Sequence, residues 1–451
     1  MASLSVVPRA GLITDPFWWE NLPQANSNHD APPPAADIVV IGSGYTGLSC
    51  ATTLARGGKG VVLFERDRFG VGASTRSGGQ VSGGVTLGKS AAGKYSAAQT
   101  DIARRRLHDA SAAMTYLENL IAEEQIDCDY HRTGRIVAAW TPQHLEQMRG
   151  RIPELNALTA ADARMLSRQE IADELGSDYY IGGMLVNRAG HLDPGKLHAG
   201  LLKLALLSGV QCYDHSAVTS VERNGTEFLV TTARGNVRAQ RVVVATNAYT
   251  GGLDRYLNRR IIPIASHVVA TEPLSDALAD VTIPKNRSVS ENRRVLNYYR
   301  KSPDGRRLIF GGRTRFFPMS SETSSRLLLQ TLGRIFPQLG QIRISHCWQG
   351  NVALTFDAVP RIGRHDGIDY CVGCNGSGIT LMTYLGHLTA RKLLLGTSDP
   401  ICSFDDDNMP SSKLYRGRTW FLPIAGTSFQ IFDAVDRKLA TWQSKPAPNI
   451  R

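Results

Sequence analysis

The stretch DIVVIGSGYTGLSCATTLARGGKGVVLFE, Asp37 to Glu65, decides the architecture of this chain. It opens with a buried-strand run, Ile38-Val39-Val40-Ile41, and turns through Gly42, Gly44 and Gly47 in the spacing G-x-G-x-x-G. Leu48 to Leu54 then reads as a helix. Gly57-Gly58-Lys59-Gly60 ends it, and Val61 to Phe64 forms a second strand run closed by Glu65. The strand–turn–helix–strand setting makes the glycine motif informative, where a lone motif also fits an ordinary glycine-rich turn. Gly42 permits the tight turn, Gly44 admits a pyrophosphate close to the backbone, and Gly47 lets helix and strand pack closely. Free N–H groups and the helix dipole favour a phosphate at the helix start. Glu65 stands at the distance expected of an acid that accepts hydrogen bonds from an adenosine ribose. These features predict a dinucleotide site.

Outward from this unit, the chain of 451 residues exceeds what one small core needs, so two domains are the default. It is 42% hydrophobic and 20% charged, a globular composition. The net charge of +11 comes from scattered basic residues, with short clusters at Arg104-Arg105-Arg106, Arg259-Arg260 and Arg293-Arg294. No long basic run is interleaved with aromatics, so nucleic acid is not an expected partner; a solvated basic surface or a preference for acidic substrates fits better. Seven scattered cysteines do not form a disulfide framework, and a reducing compartment is expected. Cys371 and Cys374 form a lone C-x-x-C; without a second pair it does not read as a zinc site, and a redox disulfide would need a helix N-terminus after the first cysteine where Gly373 and Gly376 make a loop, so no metal is expected. The N-terminus does not read as a signal peptide, and no apolar run approaches the ~20 residues needed to span a bilayer. A soluble cytoplasmic protein is expected.

Residues 1–36 read as a leader in which Phe17-Trp18-Trp19 is able to dock on the body. Phe69 to Gly84, FGVGASTRSGGQVSGG, is dense in glycine and poor in large apolar residues. Such a loop follows a ligand with its backbone or remains a surface loop; its place just after the ribose-binding acid favours the first. Helices are predicted over Ala97–Glu124, Pro142–Leu158, Lys196–Leu207, Ser320–Phe336 and Ile379–Leu395, and a strand over His131–Ala139. Val218–Val221, Glu227–Thr232 and Val237–Arg241 alternate like a meander, and Arg241–Thr246 reads as a separate buried strand opening into Asn247. Pro263–Pro273, Arg294–Arg300 and Arg307–Arg313 suggest an antiparallel sheet in a second domain. Tyr370-Cys371-Val372 leads through Gly373 to Gly378 into a second helix N-terminus.

Together these motifs resemble the D-amino-acid-oxidase-like FAD oxidoreductases, and within them the gamma-glutamylputrescine oxidase type. The likeness is carried by IGSGYTGLSCA with Glu65, by GVGASTRSGGQ, by HLDPGKLHAGLLKLALLSGV continuing to VVVATNAYTGG, and by WQGNVALTFDAVPRIG with VGCNGSGITLMTYLG. The tail Trp420–Leu439, with Asp436-Arg437, also resembles that subgroup. The resemblance implies an α/β fold: a Rossmann-like FAD domain of the glutathione-reductase type plus an α+β substrate domain with a mixed or antiparallel sheet. It divides the chain into FAD segments 36–88, 190–262 and 350–402, substrate segments 89–189 and 263–349, and a tail 403–451. Carried over by motif, Gly42, Ser43, Gly44, Tyr45, Thr46, Gly47, Glu65 and Arg66 hold the ADP part. Gly72, Ala73, Ser74, Arg76, Gly79 and Gln80 line the flavin, Val218 touches the adenine side, and Ala245, Thr246 and Asn247 close the pyrophosphate side. Gly376, Ser377, Gly378, Ile379 and Thr380 offer donors near the flavin pyrimidine, where they favour the charge of the reduced ring. Some relatives attach FAD through a cysteine; Val352-Ala353-Leu354-Thr355 stands at the matching place, so noncovalent FAD is expected. Ile309 falls where sarcosine-oxidase relatives use a lysine to activate oxygen.

The implied chemistry is oxidation of a C–N bond in an amine or amino acid, with the imine hydrolysed and O2 as the expected acceptor giving H2O2; a dehydrogenase using another acceptor is the alternative. The substrate is expected to be small and to carry a carboxylate. Arg313 is the candidate contact for it, since a guanidinium matches carboxylate geometry, although arginines at such places also form ordinary surface ion pairs. Trp348 and Tyr299 are candidates for pocket walls or for plain core, and His267 either faces the flavin or is a structural histidine. A flavin monooxygenase would need a second nucleotide fingerprint, and only one is found. A flavoprotein acting on RNA would bind it in a salt-sensitive way.

Overall fold

A computed structural model describes residues 11–20, 22, 30–82, 97–312 and 316–443. In chain order its strands are β1 (Ala35–Ile41), β2 (Val61–Phe64), β3 (Gln80–Val81), β4 (Arg135–Ala138), β5 (Ala163–Leu166), β6 (Gly183–Val186), β7 (Gly190–His191), β8 (Gln211–Tyr213) and β9 (Val218–Asn224). They continue with β10 (Glu227–Thr232), β11 (Gly235–Val244), β12 (Ile262–Thr271), β13 (Ser288–Glu291), β14 (Asn297–Lys301), β15 (Leu308–Gly312), β16 (Ile344–Leu354), β17 (Arg361–His365) and β18 (Ile368–Val372). The helices are α1 (Tyr45–Arg56), α2 (Ala97–Glu123), α3 (Pro142–Thr159), α4 (Arg168–Leu175), α5 (Pro194–Leu207), α6 (Arg255–Asn258), α7 (Asp276–Val281), α8 (Ser321–Ile335), α9 (Thr380–Leu395) and α10 (Leu422–Gln443).

The first sheet runs β17-β18-β11-β1-β2-β8. Its neighbours from β18 to β8 pair in parallel, while β17 joins antiparallel at the edge. Both faces of this sheet are covered, which is why its strands are continuous apolar runs. Ile38, Val40 and Leu63 pack on α1 and α5 through Leu48, Leu54, Leu197 and Leu201. The alternate residues Val39, Ile41, Val62 and Phe64 pack on Phe228 and Val230 of the meander β9-β10, which hangs from β11. The break expected at Arg241 is absent: β11 is one strand from Gly235 to Val244, its residues 235–239 pairing with β10 and 238–244 with β1. A strand shared by two partners changes its burial pattern midway, and that change imitates a boundary.

The second sheet runs β16-β12-β15-β14-β13-β4-β6-β5. It is antiparallel except where β13 lies parallel to β4, so it is a mixed sheet. One face carries Ile136, Val269, Val289, Tyr299 and Phe310 against Leu328, Leu332 and Ile335 of α8. The other turns Val137, Ser266, Ser290 and Tyr298 towards the first sheet's half of the molecule. β16 is continuous from Ile344 to Leu354 and crosses the division expected at 349/350. The leader docks: Ile13 bridges to His346, and Trp18 is buried against Trp348, Val268, Ala270 and Ile309. No described helix is long and apolar enough to cross a membrane.

Candidate active site

The C-terminal ends of β1, β2 and β11 open into one cleft of about 2310 Å³. Ordinary small-molecule pockets hold about 300–1,000 Å³, so this cleft has room for an extended dinucleotide and a substrate beside it. Its nucleotide end is built from the glycine turn. Gly42 has φ +103°, and a Cβ there would stand 3.0 Å from the Ala245 carbonyl oxygen. A Cβ at Gly47 would stand 1.8 Å from the Gly42 carbonyl oxygen, so only glycine allows α1 this close to the strand. The N-cap of α1 is Gly44, which has no capping side chain; Ser74 Oγ accepts from Tyr45 N at 3.2 Å. The N-cap of α9, Ile379, likewise has no capping side chain. Two helix N-termini without capping side chains therefore meet the same cleft, a setting suited to phosphate and to developing negative charge.

Glu65, at the end of β2, accepts from Ser43 N (3.0 Å) and Ser43 Oγ (2.7 Å) through Oε2 and from Asp67 N (3.2 Å) through Oε1. It lines the cleft beside Val218, ready to take ribose hydroxyls on its remaining lone pairs. Asn247, held at φ +48°, accepts from Gly373 N at 2.9 Å and so fastens the loop leading into α9. Tyr45 packs rather than reacts: its hydroxyl lies 2.9 Å from the carbonyls of both Ser74 and Pro194, and burial raises its pKa. These residues fit FAD: the glycine cradle leaves no room for a Cβ, and acid and donors stand where ribose and phosphates need them.

The loop after Glu65 is held residue by residue. Trp19 Nε1 donates to Thr75 Oγ1, Trp348 Nε1 to the Arg76 carbonyl and Trp18 Nε1 to the Ser77 carbonyl, each at 2.9 Å. Arg300 Nε then donates to the Gly78 carbonyl at 2.8 Å, and Leu192 N to the Gly79 carbonyl at 2.9 Å. Arg300 is fully buried; its other donors reach the carbonyls of Leu192 (2.6 Å) and Lys301 (3.0 Å), and burial lowers its pKa to about 10, still charged at neutral pH. Gln80 Nε2 donates to the carbonyls of Val289 and Tyr299, tying the loop to the second sheet.

Of the residues expected at the cofactor, Gly42, Gly44, Tyr45, Thr46, Glu65 and Arg66 line the cleft. So do Gly72, Ala73, Ser74, Arg76, Gln80 and Val218, then Ala245, Thr246 and Asn247, and last Gly376, Ser377, Gly378, Ile379 and Thr380. Ser43, Gly47 and Gly79 do not. Ser43 supports Glu65 from behind, Gly47 packs on Gly42, and Gly79 lies against Leu192 and Arg300.

The residues expected to meet substrate fare differently. Tyr299 points away from the cleft, into the α8 core, stacked on Phe310 at 5.5 Å and bonded to Tyr180. Its neighbour Tyr298 lines the cleft instead, with its hydroxyl 3.1 Å from Ser266 Oγ. His267 is corrected in the same way: the alternation of β12 sends Ile262, Ile264 and Ser266 to the cleft and His267 to the opposite face. Burial lowers its pKa to about 4; the Gln349 side chain opposes this, yet among the described residues neither ring nitrogen reaches a partner in hydrogen-bond geometry. Trp348 lies on the cleft side but under Trp18, where it supports Arg76 rather than forming a wall. Arg313 lies outside the described residues. Sequence reasoning missed Tyr298, Ser266 and Arg135. A signal for Tyr298 existed: Gly311 stands opposite, and a Cβ there would fall 2.3 Å from the tyrosine ring.

The family described as FAD dependent oxidoreductase (DAO) matches residues 37–392. The chain is 34% identical over 403 residues to the gamma-glutamylputrescine oxidoreductase of Escherichia coli, covering 89% of this chain and 93% of that protein. It is 24% identical over 368 residues to the glycine oxidase of Bacillus subtilis, covering 79% of this chain and 93% of the relative. Among solved structures, the L-proline dehydrogenase from P. horikoshii superposes with a TM-score of 0.69 at 20% identity, over 82% of this chain and 96% of that one. Glycine oxidase from Geobacillus kaustophilus superposes with a TM-score of 0.67 at 21% identity, over 83% and 98%.

Proposed function

The chain belongs to the DAO family of FAD dependent oxidoreductases, and from that premise we propose that it oxidises a C–N bond in an amine or amino acid, as an enzyme of the gamma-glutamylputrescine oxidoreductase type. One observation carries this reading: the nucleotide cradle and the polar face of the second sheet, with Tyr298, Ser266 and Ser290, line one continuous cleft. When bound, FAD would supply the two-electron acceptor for oxidation of the carbon next to the substrate nitrogen, the imine product being hydrolysed by water.

The chain's own residues bind, orient and exclude water. The turn at Gly42–Gly47 and the start of α1 hold phosphate, and Glu65 holds ribose. Residues 376–380 and the N-terminus of α9 stabilise negative charge through fixed donors. Tyr298 and Ser266 set two hydroxyls on the cleft face of the sheet, and these orient a neutral amine nitrogen by accepting or donating one hydrogen bond. The apolar cluster of Trp18, Val268, Ala270, Ile309 and Trp348 keeps this part of the sheet dry. No residue needs to act as nucleophile, since the cofactor carries the electrons.

FAD is held noncovalently in this reading, and O2 is the acceptor. Ile309, enclosed in that apolar cluster, favours a second reading in which another acceptor takes the electrons more readily than O2. The test is anaerobic addition of an amine and amino-acid panel to the yellow, FAD-loaded protein. Bleaching by one of them, with peroxide released in air, is the expected result. Bleaching by NAD(P)H alone would overturn the proposal, and fast turnover only with an artificial acceptor would establish the second reading. Acid precipitation should leave the flavin in solution; flavin in the pellet would point to Cys374, the cleft-lining cysteine among the described residues.

A further inference from the structure

Helix α10 (Leu422–Gln443) begins beyond the segment that matches the family, which ends at residue 392. It nevertheless builds a wall of the cleft. Leu422, Ala425, Phe429, Asp433 and Asp436 line it, and their three- and four-residue spacing places them on one helix face. The wall is anchored at three places. Buried Asp433 accepts from Arg294 N (3.2 Å), Val295 N (2.9 Å) and Arg294 Nη1 (3.2 Å), while Asp436 accepts from Arg294 Nη1 at 2.6 Å. Arg437 donates to the Tyr179 hydroxyl at 3.1 Å and lies over the Trp140 ring at 4.8 Å. Phe429 meets Phe316 edge-on at 5.9 Å, and Phe316 also lines the cleft. The Asp433 contacts fix the turn between β13 and β14, whose Glu291, Asn292, Arg294 and Leu296 face the same space.

We propose that α10 is the specificity wall of the amine chamber. The end of the substrate remote from the reacting C–N bond rests against it: Phe429 meets an aliphatic spacer, and the Asp433–Arg294 turn meets a polar terminus. Chain length is therefore discriminated by the tail of the protein, through Phe429 and the Asp433–Arg294 turn. This rests on the amine-oxidoreductase reading.

The test measures kcat and KM for linear primary amines of increasing length, with and without a terminal carboxylate, alongside the FAD content of each variant. In the wild type, KM falls with length. Phe429→Ala raises KM for the longest amines about tenfold, as expected for losing an apolar contact in a specificity pocket, with FAD content and kcat for the shortest amine retained. Phe429→Trp raises KM for the longest amine by narrowing the chamber, and Asp433→Asn flattens the length dependence. Ile431→Ala, on the exposed face, leaves all values unchanged. A wild-type length dependence in Phe429→Ala, Phe429→Trp and Asp433→Asn would overturn the proposal, as would a uniform loss of FAD and kcat for every amine. If the wild type oxidises no amine at all, the proposed function itself falls, which the flavin-bleaching test shows separately.

Discussion

Arg300 is a cation in a fully enclosed position, answered by the carbonyls of Gly78, Leu192 and Lys301 rather than by a carboxylate at contact distance. Replacing it by Met strands those carbonyls in the interior. Arg300→Met should lower stability by on the order of 3 kcal/mol and release FAD more readily, measured by denaturant unfolding and by flavin lost on gel filtration. His267 and His191 make the opposite statement: burial holds them neutral, with pKa values lowered to about 4 and about 3. Near neutral pH, folded and unfolded chains both carry them uncharged. As pH falls below about 6.5 the unfolded chain takes up protons that the folded one refuses, so stability is lost, by up to about 1.4 kcal/mol per pH unit per histidine, down to those two values. Thermal midpoints should therefore drop between about pH 7 and about pH 4, and His267→Gln should make the drop shallower. These roles were hard to read from sequence. Tyr298 and Tyr299, like Ser266 and His267, are neighbours that a strand sends to opposite faces. Both tyrosines are apolar enough for either face, so only the register against Gly311 and Phe310 tells them apart.

At the scale of elements, the glycine turn and α1 were legible because everything that specifies them is local: strand, turn, helix and acid within one stretch. The clamp on residues 75–79 was not, since its donors come from Trp18, Trp19, Leu192, Arg300 and Trp348, which only the tertiary fold brings together. The leader's aromatics hinted at docking but not at their target. Trp18→Ala removes a buried indole and one carbonyl partner, and it should cost about 3–5 kcal/mol. Trp19→Phe keeps the ring over Arg68 and Arg76 and loses only the hydrogen bond to Thr75, a cost of about 1 kcal/mol. Differential scanning calorimetry of the two variants should show the larger fall in Tm for Trp18→Ala, accompanied by weaker FAD retention.

For the whole molecule, both sheets contribute to one cleft, so the cofactor should stabilise the entire fold and not one half of it. Stripping FAD should lower Tm in a single transition, since a ligand at 100 times its Kd adds about 2.7 kcal/mol. Two separated transitions in the apo form would show that the halves unfold independently. Strands β4, β5 and β6 join β12 to β16 in the second sheet, so segments far apart in the chain share one layer. The place of α10 beside the cleft was not legible, because a tail without a nucleotide motif carries no local sign of what it covers. The interleaving bears on how the protein is made. Synthesis proceeds from the N-terminus to the C-terminus, yet the cleft takes Gly42 and Glu65 from an early segment, Asn247 from a later one, and Gly376–Thr380 with Asp433 from later still. On the ribosome, the Val243–Val244 end of β11 waits unpaired on one side until β18 emerges. Flavin loading is thus a late event in biogenesis: stalled nascent chains ending before α9 should retain no FAD, while release of the full chain in the presence of FAD should give the yellow protein.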